Sequence, residues 1–503
     1  MKFLYRPCYF VSMLCCMVGL AAVNCIAQTQ YPKREMRGAW VAAVANIDYP
    51  SSGFATTETK TAELVAIFDK LKSAGINAVF FQVRTECDAL YESNLEPWSY
   101  WLTGRQGKAP VPFFDPLKIA IDEAHKRGME LHAWLNPYRA VKTSGEYGIS
   151  PNHVTQKHPE WVLSFKDLKM LDPGLPAVQE YILQVIDDIV SRYDIDGIHF
   201  DDYFYPYGPH VTTEDKASFD KYAGGFSNIE DWRRNNINTL IRHVGELIRE
   251  KKPLVKFGVS PFGIAENKFA NTNGFEAYNI LYSDPVNWIK NKYVDYIVPQ
   301  IYWEINHAKA SFAKLLPWWG SVNNGRQVYV GHYASNYLSA KYTGSPAELQ
   351  NQIQLARNTP NILGSVFFSA KTITQNWKNF ADTLAYKTYL YPALLPQMPW
   401  KDSIPPNAPS AGNIIFKDNQ VQLSWDEPAK AADGETATAY VVYKFQISAP
   451  IDLSDPRAIR AIIPAGQRCY SEYAGYSDYI FVITSLDRLQ NESEGSLQLK
   501  AIR

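Results

Sequence analysis

Asp194-Ile195-Asp196-Gly197-Ile198-His199-Phe200-Asp201-Asp202-Tyr203-Phe204-Tyr205-Pro206 is the stretch whose reading decides the fold. It follows a helix-like run over residues 176–192. Ile198 and Phe200 alternate with His199 and Asp201, the period of two expected of a short buried strand with one apolar face and one ionisable face. Its C-terminal end then turns acidic and aromatic. Two readings stay open at this point. Acidic residues are common where a strand ends in a solvated turn, and an inward-facing strand that leads to a reactive mouth has the same look.

Working outward, the same unit recurs. Residues 37–44 read as a first strand and 57–74 as the helix behind it, stopped by Gly75 in the manner of a helix C-cap. A second strand over 76–84 precedes a helix over 115–127 that carries Pro116 in its first turn and Gly128 just past its end. Further strands fall at 129–137, 197–203, 255–262, 294–303, 328–333 and 362–369, with helices at 176–192, 229–251, 284–291 and 346–357. Eight such repeats predict an α/β chain built as a (β/α)₈ barrel with insertions. An open doubly wound sheet is the alternative, but no Gly-rich phosphate loop follows the first strand. The barrel is expected over residues 33–390.

Residues 391–409 hold Pro392, Pro396, Pro399, Pro405, Pro406 and Pro409, the composition of a stiff extended spacer. Beyond it, over 410–503, short strands without helices (421–425, 439–443 and 479–484) predict a small all-β sandwich.

Composition narrows the classes. The chain has 503 residues, enough for two domains, and is rich in aromatic rings, with 13 Trp and 32 Tyr, one use of which is stacking on the apolar faces of sugars. The first 27 residues read as a cleavable secretory leader: Lys2 and Arg6, an apolar run, then Cys25-Ile26-Ala27 before Gln28. Export to the periplasm, cell envelope or medium is expected, with acylation of Cys25 as the competing lipid anchor. Nothing beyond residue 30 is apolar enough to predict a transmembrane segment. Cys8, Cys15, Cys16 and Cys25 fall in the leader and leave Cys87 and Cys469, so neither a disulfide framework nor zinc spacing is expected. Without the leader, 48 basic side chains face 51 acidic ones, which gives no electrostatic case for nucleic acid. No cofactor is expected.

Following the inward parity to each strand's C-terminal end selects Gln82, Arg84 and Glu86 on the second strand, His132, Trp134 and Asn136 on the third, His199, Asp201 and Tyr203 on the fourth, and Gln300, Tyr302 and Glu304 on the sixth. One such residue is usually structural; four strands agreeing point to a shared mouth. Glycoside hydrolysis makes the best use of the set, since it needs one ionised and one protonated carboxyl at the scissile bond. Asp201 is the expected nucleophile or base, and Glu304, among Tyr302 and Trp303, the expected acid. Glu86 is the reserve, and Asp202, of opposite parity, an orienting partner unless a bulge exchanges the two. Trp134, Trp98, Trp101 and Trp303 could stack on sugars or simply pack; Arg84, Asn136 and Arg139 could hold hydroxyl or N-acetyl groups.

Arg37-Gly38-Ala39-Trp40, Phe81-Gln82-Val83-Arg84, Ala133-Trp134-Leu135-Asn136-Pro137-Tyr138-Arg139, Leu171-Asp172-Pro173-Gly174, the stretch from Asp196 to Pro206, and Pro299-Gln300-Ile301-Tyr302-Trp303 together resemble the bacterial glycosyl-hydrolase-like family 10 over roughly residues 33–380. The resemblance implies a secreted or envelope (β/α)₈ glycosidase acting on a carbohydrate, with family context pointing to cell-wall glycan. The fourth strand is also similar to the chitinase-type signature but has His199 and Tyr203 where that signature has acids, so substrate-assisted hydrolysis in its usual form is not expected. The last hundred residues resemble a fibronectin type III module in Trp425, Tyr440-Val441-Val442-Tyr443 and Thr484-Ser485-Leu486-Asp487-Arg488. A non-catalytic glycan-binding protein is the rival class. A metal-dependent hydrolase using His132, His199 and Asp201 is a third, disfavoured because the first strand lacks His-x-His.

Overall fold

The computed structural model describes residues 31–475 and 477–502; the leader and Cys25 lie outside them. Eight parallel strands close into a barrel in sequential order: β1 (Met36–Val41), β2 (Ala78–Arg84), β3 (Glu130–Leu135), β4 (Gly197–Phe200), β5 (Lys256–Val259), β6 (Tyr296–Ile297), β7 (Gln327–His332) and β8 (Ile362–Phe367), with β8 pairing back onto β1. Behind them lie α1 (Thr57–Ser73), α2 (Pro116–Lys126), α3 (Pro176–Arg192), α4 (Ile229–Lys251), α5 (Pro285–Lys290), α6 (Phe312–Ser321) and α7 (Glu348–Asn358). The helix starts are set locally. Thr56 accepts the Thr59 amide, Asp115 the Lys118 amide and Asn228 the Glu230 amide, each satisfying a free N–H of a first turn.

The two strand faces part as their period requires. Outward residues such as Val79, Phe81, Ile198 and Phe200 join the helices in the main core, while Trp40, Phe80, Trp134, Tyr296 and Tyr329 fill the barrel interior. Rings of that size fit because glycines face them. A Cβ on Gly197 would collide with the His132 ring, and one on Gly258 with the Tyr296 ring.

Several boundaries differ from expectation. The sixth strand is two residues long, and the fifth stops at Val259, because Pro299 and Pro261 follow closely and lack the N–H that a ladder needs. α6 was not expected; it holds Pro317 in its interior, and buried Phe312, Leu315, Leu316 and Trp319 keep it helical. Between β3 and α3 the chain inserts a three-stranded antiparallel sheet, in order Arg139–Val141, Lys169–Leu171, Val162–Ser164.

The first half of the proline-rich segment packs on the barrel. The Glu35 amide donates to Leu394 O at 2.8 Å and the Leu394 amide to Lys33 O at 2.9 Å. Leu395 and Met398 sit inside the barrel's N-terminal end beside Met36 and Tyr296. A buried leucine and methionine gain more inside an apolar barrel end than in water, and that overrides the extended bias of the prolines. After it come β9 (Gly412–Lys417), β10 (Gln420–Trp425), β11 (Ala439–Gln446), β12 (Ile459–Pro464), β13 (Cys469–Tyr473), β14 (Tyr479–Leu486) and β15 (Leu497–Ala501). They form a three-stranded sheet β9-β10-β13 and a four-stranded sheet β12-β11-β14-β15, packed around Trp425, Tyr440 and Phe481. The sandwich meets the barrel's N-terminal face, where Arg488 reaches Asp194 at 2.6 Å and Lys33 reaches Glu492 at 2.6 Å.

Candidate active site

At the C-terminal end of the strands a cavity of about 190 Å³ is lined by Trp40, Gln82, Trp134, Arg139, Asp201, Asp202, Tyr203, Gln300, Tyr302 and Phe368, among others. Strand β4 ends at Phe200, and a tight turn follows in which the Phe204 amide donates to Asp202 O at 3.0 Å. The alternation of faces therefore stops one residue before the acids. Asp201 and Asp202 both enter the same cavity, against the opposite parity expected for Asp202.

Asp201 is held on several sides. Trp134 Nε1 donates to it at 3.2 Å, Asn136 Nδ2 to both oxygens at 3.1 Å, and the Tyr203 amide at 3.3 Å. Burial raises its pKa, while the Arg139 charge and these donors pull the other way. Asp202 has fewer supports: the Tyr207 hydroxyl donates to it and Gln300 lies against it. Burial, then the neighbouring Asp201 charge, pushes its carboxyl up to about 8. Two adjacent buried carboxyls cannot both ionise cheaply. The better-solvated charge rests on Asp201 and the proton on Asp202, which is the division that acid catalysis at neutral pH requires.

The surroundings are fixed from below and from the side. Arg84 forms a buried pair with Glu96 at 2.7 Å and donates to Asn136 O at 2.6 Å and Pro137 O at 3.0 Å. It secures the loop that presents Asn136 and does not line the cavity, so its expected contact with substrate is replaced by a structural one; the register slip between Gln82 and Arg84 turns it aside. Asn136 Oδ1 in turn accepts the Arg139 amide at 2.8 Å. Asp48, pushed up to about 6 by burial, accepts from Ala42 N at 2.8 Å, Ser369 Oγ at 2.7 Å and Lys371 N at 2.7 Å, clasping the β1 and β8 loops.

Other expected site residues lie elsewhere. Glu304 is half-buried, accepts the Tyr342 hydroxyl at 2.8 Å and does not line the cavity. The chain turns at Pro299–Tyr302, where Ile301 N and Tyr302 N donate to Pro299 O and Gln300 O at 3.0 Å each, so parity counted past Gln300 fails. Trp303 leaves the mouth by the same turn and packs edge-on against Phe262 at 5.4 Å. Glu86 is buried under the insertion, accepting from Trp101 Nε1 at 2.8 Å and from the Lys142 amide; this bond also accounts for Trp101.

His132 and His199 point inward as expected but lie below the mouth, in the barrel's filling. Trp40 Nε1 donates to His199 Nε2 at 3.2 Å, His199 Nδ1 and His132 Nδ1 share the Tyr296 hydroxyl at 3.2 and 2.7 Å, and His132 Nε2 meets Glu130 at 3.1 Å. Burial lowers the His199 pKa well below the usual imidazole range, keeping it neutral. With both rings so engaged, His132, His199 and Asp201 do not converge as metal ligands. Among the described residues the one acidic or His/Cys cluster with ligand spacing is Asp402, Asp433 and Glu435, away from this cavity. Sequence parity had missed Trp40, Ser260 and Phe368 in the cavity and Tyr207 beside it; Trp40 and Phe368 are apolar strand-end residues that carry no polar flag.

Two carboxyls in a polar and aromatic cavity at the C-terminal strand ends stand where (β/α)₈ barrels keep their active sites, and comparison with known proteins gives the class. The chain belongs to the family described as glycosyl hydrolase-like 10, whose model matches residues 35–344. Glycosyl hydrolase YngK of Bacillus subtilis (strain 168) is 37% identical over 487 residues, covering 92% of each chain. Glycosyl hydrolase DigH of Escherichia coli (strain K12) is 37% identical over 372 residues, covering 68% of this chain and 84% of its own. Among solved structures, the PgaB (BpsB) glycoside hydrolase domain of Bordetella bronchiseptica superposes with a TM-score of 0.45 at 12% identity, over 70% of this chain and 98% of that one. No helix among the described residues is long and apolar enough to cross a membrane.

Proposed function

We propose that the protein is exported through its leader and cleaves O-glycosidic bonds in bacterial cell-wall glycan, with the sugar strands of peptidoglycan as substrate. Asp202 is the proton donor to the leaving oxygen, and Asp201 is the ionised group facing the positive charge that develops on the sugar ring. The observation that carries this reading is the placement of Asp201 and Asp202 side by side in one buried cavity, with Trp134, Asn136 and the Tyr203 amide donating to the first and only Tyr207 and Gln300 set against the side chain of the second. Trp40, Trp134, Tyr302 and Phe368 offer apolar surface to a ring's flat faces, and Arg139 and Gln300 offer polar contacts to its substituents. The leader and the family support export and a cell-wall substrate. The C-terminal sandwich, which we assign to the fibronectin type III-like modules, is an accessory domain.

One observation favours a variant of this chemistry. Consecutive residues at a single strand end approach a sugar from the same side, whereas the two-carboxylate mechanism places its groups on either side of the scissile bond. Against the expectation drawn from His199 and Tyr203, an acetamido group on the substrate would then attack the anomeric carbon as the glycosidic bond breaks to the oxygen protonated by Asp202, with Asp201 orienting it. Water activated by the deprotonated Asp202 would open the cyclic intermediate. This variant restricts the enzyme to N-acetylated sugars.

The test is incubation of the mature protein with a glycan panel that includes peptidoglycan strands with and without stem peptides. Cleavage that disappears in Asp202→Asn supports the reading. Binding of the strands with no turnover by wild type would instead make the protein a non-catalytic glycan binder.

A further inference from the structure

The cavity over Asp201 and Asp202 is small, about 190 Å³, yet the aromatic surface at the mouth continues beyond it in two directions. On one side the Tyr333 ring, 36% exposed just after β7, stacks on cavity-lining Tyr302 with centroids 4.9 Å apart and planes 27° apart. Phe368, just after β8, completes this rim with its ring 6.2 Å from Tyr333. On the other side Tyr203 and Tyr207, after β4, lie 5.7 Å apart. Phe275, after β5, stacks on Tyr207 at 5.1 Å and 13°. In a closed barrel of eight sequential strands, β4 lies across from β8. The two aromatic rims therefore face each other over the mouth, and Tyr207, whose hydroxyl holds Asp202, belongs to the second.

A pocket that reads one terminal sugar closes around it on all sides but one. Here aromatic rings lie on both flanks of the carboxyls, partly exposed Tyr333 on one and Phe275 on the other. We infer that the substrate is a glycan chain lying across the mouth from Tyr333 to Phe275, and that the bond cut over Asp202 is inside the chain rather than at its end. The inference rests on the proposed glycosidase reading and adds two flanking sugar positions, one on Tyr333 and one on Phe275. Neither residue touches Asp201 or Asp202, so both act by holding substrate.

The experiment uses the full mature chain and peptide-free peptidoglycan strands labelled at the reducing end. Products of early digestion should be labelled oligosaccharides of many lengths. Tyr333→Ala and Phe275→Ala should each raise KM for long strands by about ten-fold, the scale of a lost ring contact, with the effect falling on KM rather than kcat and Tyr333→Phe restoring it. Release of only a terminal unit from the first time point, or a loss confined to kcat, would overturn the inference. If wild type leaves the strands intact, the glycosidase reading of this substrate fails by itself, and binding decides the inference. Affinity for the strands that rises with chain length and falls in Tyr333→Ala upholds it; affinity independent of length overturns it.

Discussion

The two ends of the barrel treat charge in opposite ways. At the N-terminal end the buried acids of the barrel strands and their flanks are paired with cations. Glu35 lies between Arg37 at 2.8 Å and Arg357 at 2.7 Å, Asp196 takes His125 at 2.9 Å and Arg488 at 3.2 Å, Asp295 takes Lys401 at 3.0 Å, and Glu130 takes Lys256. Burial raises the pKa of Glu35 and Asp196, and the partners more than reverse it, leaving both below the usual carboxylate range. At the C-terminal end Asp201 and Asp202 stand together with Arg139 as the charge that moderates them, and burial wins, leaving Asp202 near 8. The same residue type thus serves stability at one end and chemistry at the other, the division expected of this fold.

The largest expected effect is at the mouth. Asp202→Asn and Asp201→Asn should each lower turnover of a susceptible glycan by about two to four orders of magnitude while leaving circular dichroism unchanged. Full activity in either variant would remove that residue from the chemistry.

At the other end the contrast should invert. Glu35→Ala strands Arg37 and Arg357 in a buried site and should cost about 3–5 kcal/mol of stability, read as a lower denaturation midpoint, with kcat per folded molecule close to wild type. Leu395→Ala, which empties part of the barrel's plug, should cost about 2–5 kcal/mol by the same assay. A loss of kcat in the folded fraction of either variant would mean that the two ends are not separate.

What could be read from sequence divides along the same line. The eight strands were legible because alternation of Ile198 and Phe200 with His199 and Asp201 repeats in kind around the barrel. Parity gives the direction of a side chain but not its depth, which is why His132 and His199 were expected at the mouth and lie in the filling beneath it. Parity also fails where a strand ends. The turn after Phe200 brings Asp202 into the cavity, and the turn at Pro299 carries Glu304 out of it. The plug at Leu395 and Met398 was hidden because its prolines suggest an extended tail, and burial against the barrel end is a long-range effect that local composition does not report.

The smallest effect sharpens that last point. Glu304→Gln, expected from sequence to remove the acid, should change kcat/KM by less than about three-fold, as for a surface substitution away from the site. A loss comparable to that of Asp202→Asn would restore Glu304 as the acid.

The most direct test needs no substrate: the stability of wild type and Asp202→Asn compared from pH 4 to pH 9. A carboxyl whose folded pKa is raised from 3.8 to about 8 gives stability that is fully present below about pH 4 and is lost as pH rises towards 8, because the unfolded chain ionises first. Asn carries no such proton. The variant should therefore match wild type near pH 4 and gain on it steadily up to about pH 8, by about 2 °C or more in midpoint, then level off. A difference that does not change with pH would contradict a proton held on Asp202, and with it the division of labour between the two carboxyls.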